Sequence, residues 1–355
     1  MAFRTYLPGL SALAGRAVIA ACFDPVPERA TRFADAVAAQ QDAACAPYTD
    51  LAPLLAHPGL DGVLNLTPAP FHAETTTAIL DAGLNCFSEK PIAGSLDDAR
   101  RLTALARERG LLFLCAPATM ATNRFQWLKR ELDNGLLGRP TLMIGQMANM
   151  GPAAWRDYKG DPAVFYTDRV GPVLDIGVYL LHAVTGLLGP ATFVSAVGGI
   201  VIPERIATIP TRFGERIAVT GNDHMLLHLE WEGPTYAQIL ASFATPATRT
   251  PVLEIHGERG TICIPDIPTW YDLDAPVDLL LLDRGPVAHE AWRPAAPPER
   301  SPVRQPIQAG PLHFVEVLEG VAEPILTAEH ATHVLEIIRA AERSAAAHGE
   351  PVALA

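Results

Sequence analysis

Short apolar runs alternate with longer amphipathic stretches through the amino-terminal part of the chain, and no other feature constrains the fold as strongly. Arg16–Phe23 (RAVIAACF) is a near-continuous apolar run, the pattern of a strand buried on both faces. Helical spacing follows over Pro27–Gln41, a second strand over Asp61–Thr67, and a helix over Phe71–Gly83 closed by its glycine. Leu84–Ser88 and Leu111–Ala116 read as further strands. Between them Ser95–Arg109 reads as a helix, opened by the capping box Ser95-x-x-Asp98 and stopped at Gly110. A helix over Ala121–Asn134 ends the series. Strands alternating with helices form a parallel α/β sheet with right-handed crossovers.

The rest of the chain changes character. A helix over Val173–Leu188 is followed by β-type runs at Phe193–Val201, Asp223–Glu230, Tyr236–Phe243, Val252–His256, Thr261–Ile264 and Val277–Leu282. Few helical segments separate them, which predicts one antiparallel sheet with a face open to solvent. Pro294–Pro311 holds six prolines and is expected to be a surface loop or arm. Helices over Leu312–Leu318 and Ala328–Ala347 close the chain.

At 355 residues the chain is long enough for two domains. Its net charge of −12 leaves no basic surplus for nucleic-acid phosphates. Five scattered cysteines, Cys22, Cys45, Cys86, Cys115 and Cys263, contain no C-x-x-C pair and suit a reducing compartment. No apolar run reaches the ~18 residues of a membrane span, and no secretory signal is evident. The expectation is a cytoplasmic protein without nucleic-acid or membrane partners.

Three clusters could carry chemistry. Asp24 follows directly on the first apolar strand, where an acid can accept hydrogen bonds from a ribose and repel a 2′-phosphate; the competing role is a turn or helix cap. Ser88-Glu89-Lys90-Pro91 lies at the carboxyl end of a strand, the side on which open α/β sheets bind ligands. A lysine there can hold a hydroxyl and move its proton, although a surface Glu–Lys pair would look the same. Asp175 and Tyr179, in GPVLDIGVY, stand four residues apart on a predicted helix face, as would a first-turn acid and a core aromatic. Gly177 between them leaves room for a ligand or a close backbone. His182 is a weaker candidate. His224 and His228 lie about 13 Å apart along one strand face at ~3.3 Å per residue. His330 and His333 have no evident third ligand, so no metal site is expected.

Taken together, FDPVPERA, DGVLNLTPAPFHAE, AGLNCFSEKPIAGSLDDA, GLLGRP, GPVLDIGVYLL and ATHVLEIIRAAERSA resemble the glucose–fructose oxidoreductase / inositol dehydrogenase / MocA family along nearly the whole chain. The resemblance implies a Rossmann domain over residues 1–118 and an α+β domain with a large, mostly antiparallel open sheet over 119–311. It also implies carboxyl-terminal helices over 312–355 that pack back near the domain interface. It implies Lys90 as the catalytic lysine with Asp175 and Tyr179 as partners; many members have histidine where this chain has Tyr179. Asp24, Thr67, Pro68, His72, Glu89, Lys90 and Pro91 match cofactor-binding positions, and Tyr166, Arg169 and His182 are candidate substrate contacts. The implied cofactor is NAD, with NADP possible, and the implied partners are a sugar or polyol substrate and further copies of the chain, as a dimer or tetramer through the open sheet. The reaction would remove a proton from a substrate hydroxyl and transfer hydride between its carbon and the nicotinamide.

Two departures stand out. Asp168-Arg169-Val170-Gly171 replaces the glycines that usually precede D-I-G, which could place Arg169 at the mouth of the pocket. The family opens with a strand and G-x-G-x-x-[GA], whereas this chain opens MAFRTYLPGL, resembling the helix after that motif, with Ala2 at the third glycine position. Losing a central strand with about five apolar side chains, at ~1.5–3 kcal/mol each, removes on the order of 10 kcal/mol, against ~5–15 kcal/mol for a domain. The expectation is that Met1 is an internal methionine and that the natural product is longer by roughly fifteen to twenty residues. Two other functions compete with a dehydrogenase: a cofactor-free scaffold, and a nicotinamide-dependent glycosidase using transient redox.

Overall fold

The structure is a computed structural model that describes residues 2–282 and 291–355. Two compact units divide the chain: Met1–Thr122 with Arg300–Thr332, and Asn123–Glu299 with His333–Ala355. In the first, β1 (Ala21–Phe23) leads through α1 (Pro27–Ala38) to β2 (Ala46–Tyr48), its parallel neighbour. After α2 (Leu51–Leu55) come β3 (Gly62–Asn65), α3 (His72–Asp81), β4 (Asn85–Ser88), α4 (Leu96–Arg109) and β5 (Phe113–Cys115). The three strands pair in parallel in the order β3-β4-β5. The predicted cap of α4 forms: Ser95 Oγ accepts from the Asp98 amide at 3.1 Å, and Gly110 closes the helix at φ 64°.

The parallel strands thus make two sheets, and among the described residues no strand pairs with both β1 and β3. The segment ahead of β1 is an irregular helix: a wide π turn over Ala2–Tyr6 and tight 3-10 turns over Leu7–Leu13. It packs as an amphipathic helix should. Leu7, Cys22, Ala34, Val37 and Cys45 form its core cluster, joined by Phe3 and Leu10, and Phe3 meets Phe33 edge-on at 5.2 Å.

The second unit begins with α5 (Asn123–Asp133) and β6 (Pro140–Ala148). Then follow α6 (Val178–Leu188), β7 (Phe193–Gly199), β8 (Glu204–Ile206), β9 (Arg216–Ala218), β10 (His224–Glu230) and β11 (Tyr236–Ser242). Next are β12 (Leu253–Gly257), β13 (Gly260–Ile264), α7 (Ile267–Tyr271), β14 (Val277–Leu281) and β15 (Arg293–Ala295). α8 (Ala309–Leu318) lies in the first unit, the division falls inside α9 (Ala328–Ala346), and β16 (Val352–Ala353) ends the chain. Nine strands form one sheet, β15-β14-β13-β12-β6-β11-β10-β7-β16, antiparallel at every pairing except β6 with β11. This is the parallel-then-antiparallel architecture expected.

Two differences have local causes. α8 starts at Ala309, inside the proline-rich run expected to be a loop, because Pro311 falls in its first turn, where no amide is required. Gly310 is buried there against Phe87. Pro294 sits in β15 at the sheet edge, where proline is tolerated.

Candidate active site

The residues expected on the cofactor side all belong to the first unit, Asp24 after β1, Thr67 and Pro68 after β3 and Glu89-Lys90-Pro91 after β4, with His72 opening α3. Asp24 follows β1; its amide donates to Tyr48 O at 3.2 Å, and Oδ1 accepts from the Val26 amide at 2.9 Å. That is the turn role, and it engages one carboxylate oxygen. Asn65, 2% exposed at the end of β3, organises the next loop. Its Oδ1 accepts from Thr67 N at 3.2 Å and Thr67 Oγ1 at 2.7 Å, while Nδ2 donates to Thr76 Oγ1 at 3.0 Å. Pro68 projects into solvent beyond Thr67. Asn65 went unnoticed in the sequence; a polar residue closing an apolar strand was its signal.

Glu89-Lys90-Pro91 follows β4. The Glu89 amide donates to Asn65 O at 3.0 Å, tying this turn to the neighbouring strand. Glu89 is buried and accepts from the Tyr6 phenol and from the Lys90 amide at 2.9 Å. Lys90 is half-buried. His72, 1% exposed, places Nδ1 2.7 Å from Pro91 O and Nε2 2.8 Å from Thr67 O. Tyr6 is the second residue that sequence reasoning missed.

Asp175, Tyr179, Arg169, His182 and Tyr166 belong to the second unit. Val173–Gly177 is a π turn rather than the first turn of a regular helix, so Asp175 precedes α6 on wider backbone while Tyr179 lies within it. Such turns are frequent at functional sites. Both side chains are half-buried. Gly177 serves close packing: a Cβ there would stand 3.0 Å from Ala241 Cβ on β11. His182 is buried in α6. Arg169 is exposed on a loop whose neighbours Thr167, Asp168, Val170 and Gly171 line a cavity of about 240 Å³ with Thr220, Asn222 and Glu342. Tyr166 is engaged in the core: its hydroxyl accepts from Ala153 N at 3.0 Å and donates to Met150 O at 3.2 Å. Burial also pushes its phenol up.

A family profile described as an oxidoreductase family with an NAD-binding Rossmann fold matches residues 1–116. The profile for the GFO/IDH/MocA C-terminal domain matches residues 125–263. The chain belongs to the GFO/IDH/MocA family. It is 29% identical over 241 residues to a dTDP-3,4-didehydro-2,6-dideoxy-alpha-D-glucose 3-reductase of Actinomadura kijaniata, covering 64% of this chain and 68% of that one. It is 26% identical to a scyllo-inositol 2-dehydrogenase (NAD(+)) of Bacillus subtilis, covering 59% and 57%. Thus the matched part spans about two thirds or less of these relatives. An NAD binding oxidoreductase of Klebsiella pneumoniae shares the fold, with TM-score 0.79 at 17% identity over 98% of this chain and 95% of that one.

NAD is the cofactor of this family's amino-terminal domain, and the residues present can be matched to its parts. Asp24 keeps Oδ2 beyond its turn hydrogen bond, which suits a ribose hydroxyl. Among the described residues no Gly-x-Gly turn precedes β1 to offer amides to the pyrophosphate.

Proposed function

We propose that this protein is an NAD-dependent dehydrogenase or reductase acting on a hydroxyl-bearing carbon of a sugar, cyclitol or related polyol. The observation that carries the reading is the buried, hydrogen-bonded turn that presents Lys90 at the carboxyl end of β4, in a chain of this family. Relatives named for a dTDP-linked sugar and for scyllo-inositol support a polyol substrate. Lys90 holds the reacting hydroxyl and, with Tyr179, moves its proton, while Asp175 orients the polyol. NAD supplies the hydride acceptor, or NADH the donor in the reverse direction. Asp24 favours NAD over NADP by repelling a 2′-phosphate. Arg169 and the neighbouring loop select among substrates.

The protein acts as a homo-oligomer, dimer or tetramer, through the open face of the nine-stranded sheet. Phe193, Val197 and Tyr236 are 42%, 50% and 49% exposed there, an apolar surface of the kind that marks protein contacts. The free, buried cysteines support a cytoplasmic location.

The test is NAD⁺ reduction with a panel of cyclitols, aldoses and nucleotide-linked sugars, comparing the protein with Lys90→Met. At least one substrate is expected to yield NADH, with kcat lowered by about 10²-fold or more in the variant. Equal rates in the two proteins, or no NADH from any member of the panel, would refute the reading.

A further inference from the structure

Lys90 is gripped on both sides by buried polar groups. On its amino side, one oxygen of the Glu89 carboxylate accepts from the Tyr6 phenol and the other from the Lys90 amide. Both side chains are buried, Tyr6 at 3% and Glu89 at 4% exposure. On its carboxyl side, His72 meets the carbonyl of Pro91 through Nδ1 and that of Thr67 through Nε2. The far anchor is itself fixed, because Asn65 receives both the amide and the hydroxyl of Thr67. The backbone on either side of the lysine is therefore tied to the irregular helix before β1, to the end of β3 and to the start of α3.

These side chains spend their polar atoms on the protein. Each ring nitrogen of His72 faces a backbone carbonyl oxygen, and each carboxylate oxygen of Glu89 receives a protein hydrogen bond. Buried hydrogen bonds of this kind stiffen a turn, here through both oxygens of Glu89 and through the carbonyl that the His72 N–H meets. A lysine that moves a proton has to be held within a few tenths of an ångström of its working position. We propose that Tyr6, Glu89 and His72 are positioning residues that set the place of Lys90, and that Glu89 and His72 act on the reaction through Lys90 rather than by touching the cofactor. The proposal rests on Lys90 being the lysine of the proposed reaction.

Trace acylation with acetic anhydride tests it in the full chain. There are three lysines, Lys90, Lys129 and Lys159, so each is read from its own peptide by mass spectrometry, with Lys129 and Lys159 as internal references. Tyr6→Phe removes one donor and keeps the buried ring, and His72→Gln removes the ring that stands between the carbonyls of Thr67 and Pro91. Releasing either side of the grip is expected to raise the labelling of Lys90 relative to the references by about threefold or more, the ratio that a hydrogen bond of ordinary strength represents. A ratio that stays level or falls in folded Tyr6→Phe overturns the proposal, whether or not His72→Gln folds. Labelling uses neither cofactor nor substrate, so its outcome is separate from that of the dehydrogenase reading.

Discussion

Two buried histidines work only in one protonation state. His313 Nε2 accepts from the Ile325 amide, and His333 Nε2 from the Ala191 amide, each at 3.0 Å. A ring that accepts there has to be neutral, and burial pushes both histidines below the usual value of 6.5. The folded state therefore binds fewer protons than the unfolded chain. Their contribution is intact above about pH 6.5 and is lost as the pH falls below it. Urea midpoints are expected to fall between pH 7.5 and pH 5.5, with a smaller fall in His313→Gln than in the parent. Gly310 predicts a steric cost instead: a Cβ there would stand 2.4 Å from Cζ of the buried Phe87. Gly310→Ala is expected to lose about 1–3 kcal/mol in denaturant unfolding. Of the candidate residues, Lys90, Asp175 and Tyr179 stood out in the sequence because they lie in dense motifs. Tyr6 did not, because its part depends on a hydrogen bond to Glu89, 83 positions away; Asn65 was missed although its partners Thr67 and Thr76 lie within eleven positions and a polar residue closing an apolar strand was its signal.

Elements whose signals are local were legible. The strands β3, β4 and β5 read from apolar runs, and α4 from its cap and its stop. Ser95→Ala is expected to cost about 1 kcal/mol through the lost bond to the Asp98 amide, measurable as a lowered urea midpoint. β6 was not legible, although it holds the centre of the nine-stranded sheet. It opens on Pro140 and carries Gly145 and Gln146, which break the β pattern. Gly145 is needed because a Cβ would come 3.1 Å from Ile239 and 3.2 Å from Leu180, so the side chain is absent where helix and neighbouring strand crowd in. β2, β8, β9 and β16 were missed for a simpler reason: each has two or three residues, too short for any periodicity. The π turn before α6 was hidden because its residues read as ordinary helix.

For the whole molecule, the open sheet and the cofactor site make separate predictions. Val197→Asp, which puts a charge on an exposed apolar position of β7, is expected to lower the oligomer mass measured by light scattering while leaving the fold intact. An unchanged mass would move the subunit contact elsewhere. The architecture itself, a parallel layer followed by a large antiparallel sheet, followed from hydrophobic patterning, since alternating and continuous apolar runs differ in which faces they bury. The loss of a central strand is expected from the sequence, and among the described residues β1 and β3 stand in separate sheets. That separation also makes cofactor binding the sharpest question about this chain, since Asp24, Thr67 and Lys90 lie at the ends of strands in the two separate sheets.

The most direct measurement is therefore a titration of NADH and, in parallel, NADPH into the 355-residue protein, followed by nicotinamide fluorescence, with Asp24→Ser alongside. The dehydrogenase account predicts saturable binding of NADH, weaker binding of NADPH, and a preference reduced in Asp24→Ser. Failure of both dinucleotides to saturate, or a preference for NADPH in the parent protein, would contradict it.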